Sequence, residues 1–184
     1  MVEYDIDNYG KIMIKYGMDI TIEQVKVGEK EILRNLLEKY DYEFSQYDNR
    51  DVNDLGLYGY SYLDNYWTEE NRFPFFIKVD KKLAGFVMVN DYPEIKLDTN
   101  YSLSEFFIMY KYRRLGIGKY VVKHILDKYK GKWQLKFHPK NEISAKFWIN
   151  TVNEYTKGKY EIIENDPTTA YDDGTIGKVL IFNT

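Results

Sequence analysis

The chain has 184 residues, of which 44% are hydrophobic and 30% charged, so it can form one domain with a sizeable core and is too apolar to be disordered. Its formal net charge of −3 argues against a general electrostatic attraction to nucleic acid, and we expect no nucleic-acid partner. The absence of cysteine excludes disulfides, thiolate metal sites and a cysteine nucleophile.

The N-terminal sequence differs from a secretory signal. It has acidic residues from Glu3 onward, and neither a basic start nor a long apolar run. Nowhere does an apolar run approach the roughly 18 residues that a membrane helix needs. We therefore expect a cytoplasmic protein with no membrane partner, built as a single domain over residues 1–184 in which residues 1–18 form an N-terminal extension.

Apolar periodicity predicts the elements of the N-terminal half. The predicted strands are 10–17, 19–26, 75–79 and 83–90, and the predicted helices are 29–44 and a short one within 62–67. The remainder of 45–74 has no clear period and is predicted to be loop. The last two strands form a hairpin with a turn at Asp80, Lys81 and Lys82, and Gly85 within it predicts a bulge or a close backbone contact.

The C-terminal half alternates strands and helices. The predicted strands are 101–112, 133–138, and the segments YEIIEN and GKVLIFNT; the predicted helices are 116–131, which Gly131 would end, and a second one that Asn141 would cap. A helix between two strands of this kind predicts a parallel crossover. The order predicts one mixed α/β sheet.

A glycine turn, RRLGIG at 113–118, lies between a strong strand and an amphipathic helix. There the free N–H groups of the helix start and its dipole favour an anion, and Gly116 and Gly118 allow a phosphate to approach the backbone. An ordinary strand-to-helix turn is the alternative. The turn lacks the Lys-Ser/Thr of a Walker A loop, and Val121 replaces the third glycine of a dinucleotide fingerprint.

With this turn the chain resembles the GNAT superfamily of N-acetyltransferases. RRLGIG matches the acetyl-CoA motif of the superfamily, and NEISAKFW at 141–148 is similar to its second motif, in which an Asn opens a helix and an aromatic residue follows seven positions later. The resemblance covers roughly 19–184. It implies an α/β (α+β) fold with a mixed central sheet, helices on both faces and splayed parallel central strands.

The resemblance also implies acetyl-CoA as co-substrate, no metal, and direct acetyl transfer to a primary amine of a small molecule or peptide. Backbone N–H groups from Arg114 to Lys119 would hold the pyrophosphate, and the pantetheine arm would lie between strands 103–110 and 133–138. A backbone N–H near Ile108 or Met109 would polarise the thioester carbonyl. The predicted CoA-binding residues are Phe107, Ile108, Met109, Tyr110, Arg113, Arg114, Leu115, Gly116, Ile117, Gly118, Lys119, Asn141 and Trp148.

Three residues are predicted to be catalytic: Glu105, Trp148 and Tyr155. Burial would raise the pKa of Glu105 toward that of a useful general base, although a salt bridge or an electrostatic hold on the substrate ammonium is the alternative. The superfamily usually has a tyrosine, the thiolate acid, where this chain has Trp148, and an indole N–H cannot supply a proton. Tyr155, Tyr112 or water could take this role.

The chain has two histidines, and one of them is a candidate for the same chemistry. His138, at a strand end, is a second candidate base, with a surface or edge histidine as the alternative. His124 is predicted to be structural, and the spacing of the two predicts no metal site.

The acceptor site is predicted in the segment 41–54, together with Asp64, Tyr66 and Trp67. Acids beside aromatic rings suit a cationic amine, and a solvated acidic loop is the alternative. Two other functions remain open: a catalytically silent acyl-CoA-binding sensor or scaffold, and a protein-interaction module using the aromatic tract 57–76. A monomer and a homodimer are both compatible with the sequence.

Overall fold

A computed structural model describes residues 4–6, 12–14 and 17–184. The strands are Tyr4–Ile6 (β1), Ile12–Ile14 (β2), Met18–Gln24 (β3), Phe73–Val79 (β4), Lys82–Asn90 (β5), Tyr101–Ile108 (β6), Lys132–Phe137 (β7), Tyr160–Ile163 (β8) and Lys178–Asn183 (β9). The helices are Lys30–Asp48 (α1), Asn65–Thr68 (α2), Ile117–Lys128 (α3) and Glu142–Thr156 (α4).

The strands form one mixed sheet in the order β1-β2-β3-β4-β5-β6-β7-β9-β8. Neighbouring strands are antiparallel except β6 and β7, which are parallel and joined through α3. The predicted mixed sheet and its crossover are therefore confirmed. The strand predicted at 10–17 falls partly outside the described residues, and its described part is β2.

Helices cover both faces of the sheet. On one face, α1 packs Leu33 and Leu37 against Phe76, Phe86 and neighbouring residues, and we call this the α1 face. On the other face, α3 and α4 bury a larger cluster, to which Val121, Ile125 and Val152 belong. Each helix contributes its apolar stripe to one side, as expected for a two-sided α/β layer.

The hairpin β4–β5 has the bulge that Gly85 predicted. Asp80 (φ 48°) and Lys81 (φ 65°) form its two-residue turn, and the pairing shifts between Ile77 and Lys78. A Cβ on Gly85 would stand 1.9 Å from the carbonyl oxygen of Phe107 in β6. Glycine is needed here because the backbones of β5 and β6 approach too closely for any side chain.

The two parallel strands separate soon after they meet. Pairing between β6 and β7 is limited to Tyr101 with Trp133 and Ser102 with Gln134. Beyond this point β6 has a bulge opposite Met88 and Val89, with Ser104 as the extra residue, whereas β7 stays paired with β9 along its whole length. The result is the predicted splay, a wedge-shaped gap inside a continuous sheet.

Several boundaries differ from the predicted ones, among them the ends of β6 and α3 and the end of α1, which continues from the predicted residue 44 to Asp48. Strand β6 ends at Ile108, and Tyr110–Tyr112 form a 3₁₀ turn instead of continuing the strand. Helix α3 ends at Lys128, because Tyr129 adopts an extended conformation before Gly131 is reached. Gly131 (φ 148°) instead lets the chain pass Asn100, whose Oδ1 would lie 2.5 Å from an added Cβ.

The aromatic tract 57–76 is largely packed into the domain. Leu63, Tyr66, Phe75 and Phe76 are at most 3% exposed, which removes most of the surface on which an interaction module would depend. Of the helices in the described part of the chain, none is long and apolar enough to cross a membrane.

The close contact at Gly85 generates a stability prediction. Gly85→Ala should lower the free energy of unfolding by about 1–3 kcal/mol, because β5 or β6 must move to accommodate the methyl group. The control is Gly28→Ala, where an added Cβ has open space; it should change stability by less than about 0.5 kcal/mol. Urea denaturation measures both, and equal effects of the two substitutions would contradict the strand contact.

Candidate active site

The turn between β6 and α3 presents a run of unpaired backbone donors. Arg114 (φ 61°) and Gly116 (φ 81°) adopt left-handed conformations, and α3 starts directly after Gly116. Along this helix, Tyr120 is the first residue whose N–H has a backbone acceptor; it donates to the Gly116 carbonyl oxygen at 3.1 Å. Within the described residues, the N–H groups from Arg114 to Lys119 have no acceptor, so this turn has the donors that an anion needs.

The basic side chains of the turn have different roles. The Arg113 guanidinium donates to both carboxylate oxygens of Glu43 in α1, at 2.7 and 2.6 Å, and its Nε donates to the Ile108 carbonyl. Lys119 forms an ion pair with Glu154 in α4. Both side chains therefore fasten the turn to the flanking helices, whereas the exposed Arg114 has no ion pair with the described residues and can reach a bound anion.

Gly118 lets α4 approach the start of α3. A Cβ at this position would contact the Phe147 ring at 3.2 Å and the Phe106 ring at 3.6 Å. Phe147 stacks on Phe106, with 5.9 Å between ring centroids, and the buried Trp148 packs edge-on against Phe106 at 5.2 Å. These three rings form an apolar wall of the sheet on the side of α3 and α4.

One edge of the gap carries unpaired backbone groups of β6. The Met109 N–H donates to the Ala84 carbonyl at 2.8 Å, so Met109 is paired with β5. Because donors alternate sides along an antiparallel ladder, the N–H groups of Phe106 and Ile108 point away from β5 and into the gap. Two N–H groups were predicted to donate to the thioester carbonyl. That of Ile108 is free to do so, whereas that of Met109 is already bound to Ala84.

Asn141 caps α4 as predicted. Its Oδ1 accepts a hydrogen bond from the Ser144 N–H at 3.0 Å, and its own N–H donates to the His138 carbonyl. Within the described part of the chain its side-chain NH₂ has no acceptor. The cap therefore leaves a donor free beside the end of β7.

Glu105 is the carboxylate on the α1 face of the gap. The bulge at Ser104 places Ser104 and Glu105 on the same face, where the Ser104 hydroxyl lies 3.1 Å from that of Tyr66. Burial raises the pKa of Glu105 to about 7; hydrogen bonding from Tyr40 lowers it, and the charges of Asp41 and Glu94 raise it further. At neutral pH the carboxyl group is therefore divided between its acid and base forms.

We call the cleft around Glu105 the Glu105 cleft and define it by Tyr40, Tyr60, Glu105 and Tyr171. Burial raises the pKa of the Tyr60 and Tyr171 hydroxyls, and the negative charge of Glu105 raises the pKa of both further. Tyr171 comes from the β8–β9 connection and Tyr40 from α1, so the cleft is assembled from distant parts of the chain. It combines one acidic group with several aromatic rings.

His138 lies at the edge of this cleft and is buried. Its ring packs 4.5 Å from Tyr171, and its Nδ1 accepts a hydrogen bond from the Lys140 N–H. Its Nε2 has no hydrogen bond and lies 3.8 Å from Asp173. Burial lowers the pKa of His138, partly offset by Asp173, so the ring is neutral at pH 7. The alternative prediction, that His138 is a surface histidine, is therefore wrong.

The structure does not bring the other predicted proton donors to Glu105. The Tyr155 hydroxyl bonds to Asp127 and Lys130, and its side chain lines a separate cleft of about 520 Å³ beside α3 and α4. Tyr112 is buried in the core on the side of α3 and α4. The half-buried His124 projects from α3 near Tyr120. The hydroxyls that face Glu105 belong to Tyr40 and Tyr60.

Of the predicted acceptor residues, Tyr66 lies beside the cleft, and Phe44 of the segment 41–54 packs against Tyr171 at 5.7 Å. Asp64 and Trp67 do not face the cleft. Asp64 is exposed and forms an ion pair with Lys30 at 2.9 Å. The Trp67 indole donates to the Val25 carbonyl. Within the segment 41–54, the carboxylates of Asp41 and Asp48 are buried and share Arg50.

Sequence reasoning missed Tyr60, Glu94 and Tyr171. Tyr60 and Glu94 lie in irregular segments and Tyr171 in a connection, where no periodic pattern indicates which side chain turns inward. The sequence indicates these three residues only through its composition, because the chain contains 19 tyrosines and 29 acidic residues and nothing distinguishes these from the others. Among residues 4–6, 12–14 and 17–184, no group of three or more His, Asp or Glu side chains is arranged to hold a metal ion.

Comparison of the fold with solved structures finds acetyltransferases. The diaminobutyrate acetyltransferase of Paenibacillus lautus, in complex with L-2,4-diaminobutyric acid and coenzyme A, has a TM-score of 0.61 and 13% identity over 91% of this chain and 96% of its own. Spermidine N-acetyltransferase of Vibrio cholerae, in complex with CoA and spermine, has a TM-score of 0.56 and 12% identity over 90% of this chain and 94% of its own.

A third similar structure is an Arabidopsis thaliana protein in complex with the bisubstrate analogue CoA-Ac-MVNAL, with a TM-score of 0.57 and 14% identity over 90% of this chain and 98% of its own. At these identities the likeness shows the fold. A search of functionally curated proteins finds no significant match to the chain.

The sequence itself matches a family model. The model of the acetyltransferase (GNAT) family matches residues 31–149, which contain α1, the β4–β5 hairpin, the splayed strands, the glycine turn and the first half of α4. The chain therefore belongs to the GNAT family of acetyltransferases.

Proposed function

We propose that the protein transfers an acetyl group directly from acetyl-CoA to a primary amine. The observation that carries the proposal is the run of unpaired N–H groups from Arg114 to Lys119 at the start of α3, open to an anion and adjoining the gap between β6 and β7. A pyrophosphate fits this turn because backbone N–H groups and the helix dipole both favour it. The gap then receives the pantetheine arm along the edge of β6.

The residues around the gap have complementary roles in this proposal. Arg114 and the Arg114–Lys119 N–H groups bind the phosphates, and the free donors of Asn141 bind the pantetheine arm. The Ile108 N–H is directed at the thioester carbonyl and stabilises the negative charge that develops on its oxygen. Membership of the GNAT family and the CoA complexes of structures with the same fold support this assignment.

Glu105 is the general base in this proposal. It lies on the α1 face, where the amine enters, and a pKa of about 7 suits proton transfer at neutral pH. The overall reaction removes two protons from the ammonium group: one reaches solvent through Glu105 and the other ends on the CoA sulfur. The C–S bond of the thioester breaks as the C–N bond of the amide forms.

A second candidate function is an acyl-CoA-binding protein without turnover. It is favoured by Trp148, which cannot supply a proton, and by Tyr155, whose hydroxyl is bound to Asp127 and Lys130 in a separate cleft. The two functions differ in one observable. Incubation with acetyl-CoA and a panel of monoamines, diamines, polyamines and a peptide with a free N-terminus should release CoA with at least one amine, whereas the second candidate binds CoA and releases none.

Substitutions in the glycine turn test the donor site. Gly116→Val combined with Gly118→Val should abolish CoA binding in isothermal titration calorimetry, because a side chain at Gly116 strains the left-handed turn and one at Gly118 collides with Phe147 and displaces the start of α3. The control is Gly56→Val, at a glycine of similar φ (73°) with open space around it. Retention of CoA affinity in the double variant, with the fold intact by circular dichroism, would contradict the proposed cradle.

The pH dependence of turnover tests the base. We expect kcat/KM to rise with pH through about 7 and then level off, because burial raises the pKa of Glu105 to about 7 and only its ionised form accepts a proton. Glu105→Gln should lower kcat/KM by about 10²- to 10⁴-fold and remove this rise. The exposed Glu161 supplies the control, Glu161→Gln. An unchanged rate and pH profile in Glu105→Gln would rule out Glu105 as the base.

A further inference from the structure

The charges around the Glu105 cleft are mostly paired within the protein itself. Four carboxylates near the cleft have basic partners; these pairs are Asp41 with Arg50 (2.9 Å), Asp48 with Arg50 (2.5 Å), Glu94 with Lys136 (3.1 Å) and Asp173 with Lys140 (2.5 Å). Asp41 and Asp48 are 3% and 4% exposed, so a bound substrate cannot reach them without displacing Arg50. These carboxylates are therefore not available to a ligand.

Glu105 differs from these four. Within the described residues, no Lys, Arg or His nitrogen lies within ion-pair distance of its carboxylate, and its neighbours are the tyrosine hydroxyls of Tyr40 and Tyr60. Glu38, the next acid along α1, accepts hydrogen bonds from the N–H groups of Tyr58 and Gly59. The cleft thus offers one unpaired carboxylate to a bound molecule.

The rest of the cleft is aromatic. Tyr40 packs edge-on against Phe107 at 6.0 Å, and Tyr171 lies 5.7 Å from Phe44. The Lys136 ammonium lies 4.9 Å from the centre of the Tyr171 ring, while its charge is paired with Glu94. An uncharged aromatic or aliphatic group can pack against these rings, whereas a second charge would have to break an existing ion pair at the cost of leaving a charge unpaired.

Resting on the proposed acetyl transfer, we infer that the acceptor is a monoamine, with one ammonium group on an uncharged aromatic or aliphatic body. The ammonium pairs with Glu105 and the body lies against Tyr40, Tyr60 and Tyr171. A diamine or polyamine would bring a second cation to a cleft whose other acids are neutralised. An amino acid would bring a carboxylate to a cleft whose cation beside Tyr171, Lys136, is already paired with Glu94.

A comparison of amines tests this class. With acetyl-CoA, the kcat/KM for 2-phenylethylamine should exceed those for 1,4-diaminobutane, spermidine and L-2,4-diaminobutyrate by about tenfold or more, which is about 1.4 kcal/mol in transition-state binding. A higher kcat/KM for any of the three doubly functional amines overturns the monoamine inference and leaves the proposed acetyl transfer standing. CoA binding without turnover of any amine contradicts both.

A substitution that unpairs Glu94 provides the second test. Lys136→Met keeps the apolar stem that packs on Gly177 and removes the charge, so a second carboxylate becomes available beside Tyr171. The ratio of kcat/KM for 1,4-diaminobutane to that for 2-phenylethylamine should rise by about tenfold, as for one added ion pair in a partly buried site.

The matched control is Lys178→Met, because Lys178 is paired with Glu164 at 2.6 Å on the far side of β7 from the cleft. Its amine ratio should equal that of the unmodified protein. CoA affinity, measured for each variant, reports that the fold and the donor site are intact. An unchanged amine ratio in Lys136→Met with normal CoA affinity would overturn the inference.

Discussion

The separation of β6 from β7 is the constraint from which the site follows. Parallel strands normally pair along their length, yet these two pair only at Tyr101–Trp133 and Ser102–Gln134. Strand β7 is held by β9 and β6 by β5, so neither can close the gap without losing its antiparallel partner. The backbone groups of β6 that face the gap are left without a strand, and buried donors of this kind need another partner.

The bulge at Ser104 decides what each face of the gap presents. Without the extra residue, Ser104 and Glu105 would point to opposite faces; with it, both point to the α1 face, while Phe106 points to the other. The carboxylate and the aromatic wall of Phe106, Phe147 and Trp148 therefore stand on opposite sides of one strand.

The glycine turn was predictable because its chemistry is local. A strand, two glycines and an amphipathic helix are contiguous in sequence, so free N–H groups at the helix start follow from that order, and the resemblance to the GNAT superfamily gave their range as Arg114 to Lys119. The roles of the basic side chains were not predictable: Arg113 is bound by Glu43, seventy residues earlier in the chain, and Lys119 by Glu154. The separation of Tyr155 from Trp148 was predictable, because seven residues of helix correspond to two turns and about 10 Å along α4.

The acceptor side could be predicted only in outline for the same reason. Glu105 was identifiable as a charged residue in an apolar strand, but Tyr60 and Tyr171 reach it from irregular segments that no period describes. The acidic segment 41–54 suggested open carboxylates, and the fold instead pairs Asp41 and Asp48 with Arg50. Whether an acid is free or neutralised depends on contacts between distant residues, which composition does not contain.

The most direct test of the account is a crystal structure of the protein with CoA bound. We expect the pyrophosphate within hydrogen-bond distance of the N–H groups of Arg114–Lys119, and the pantetheine arm between β6 and β7 with its sulfur facing the Glu105 cleft. CoA bound elsewhere, for example in the cleft beside α3 and α4 that Tyr155 lines, with the gap closed, would contradict the account.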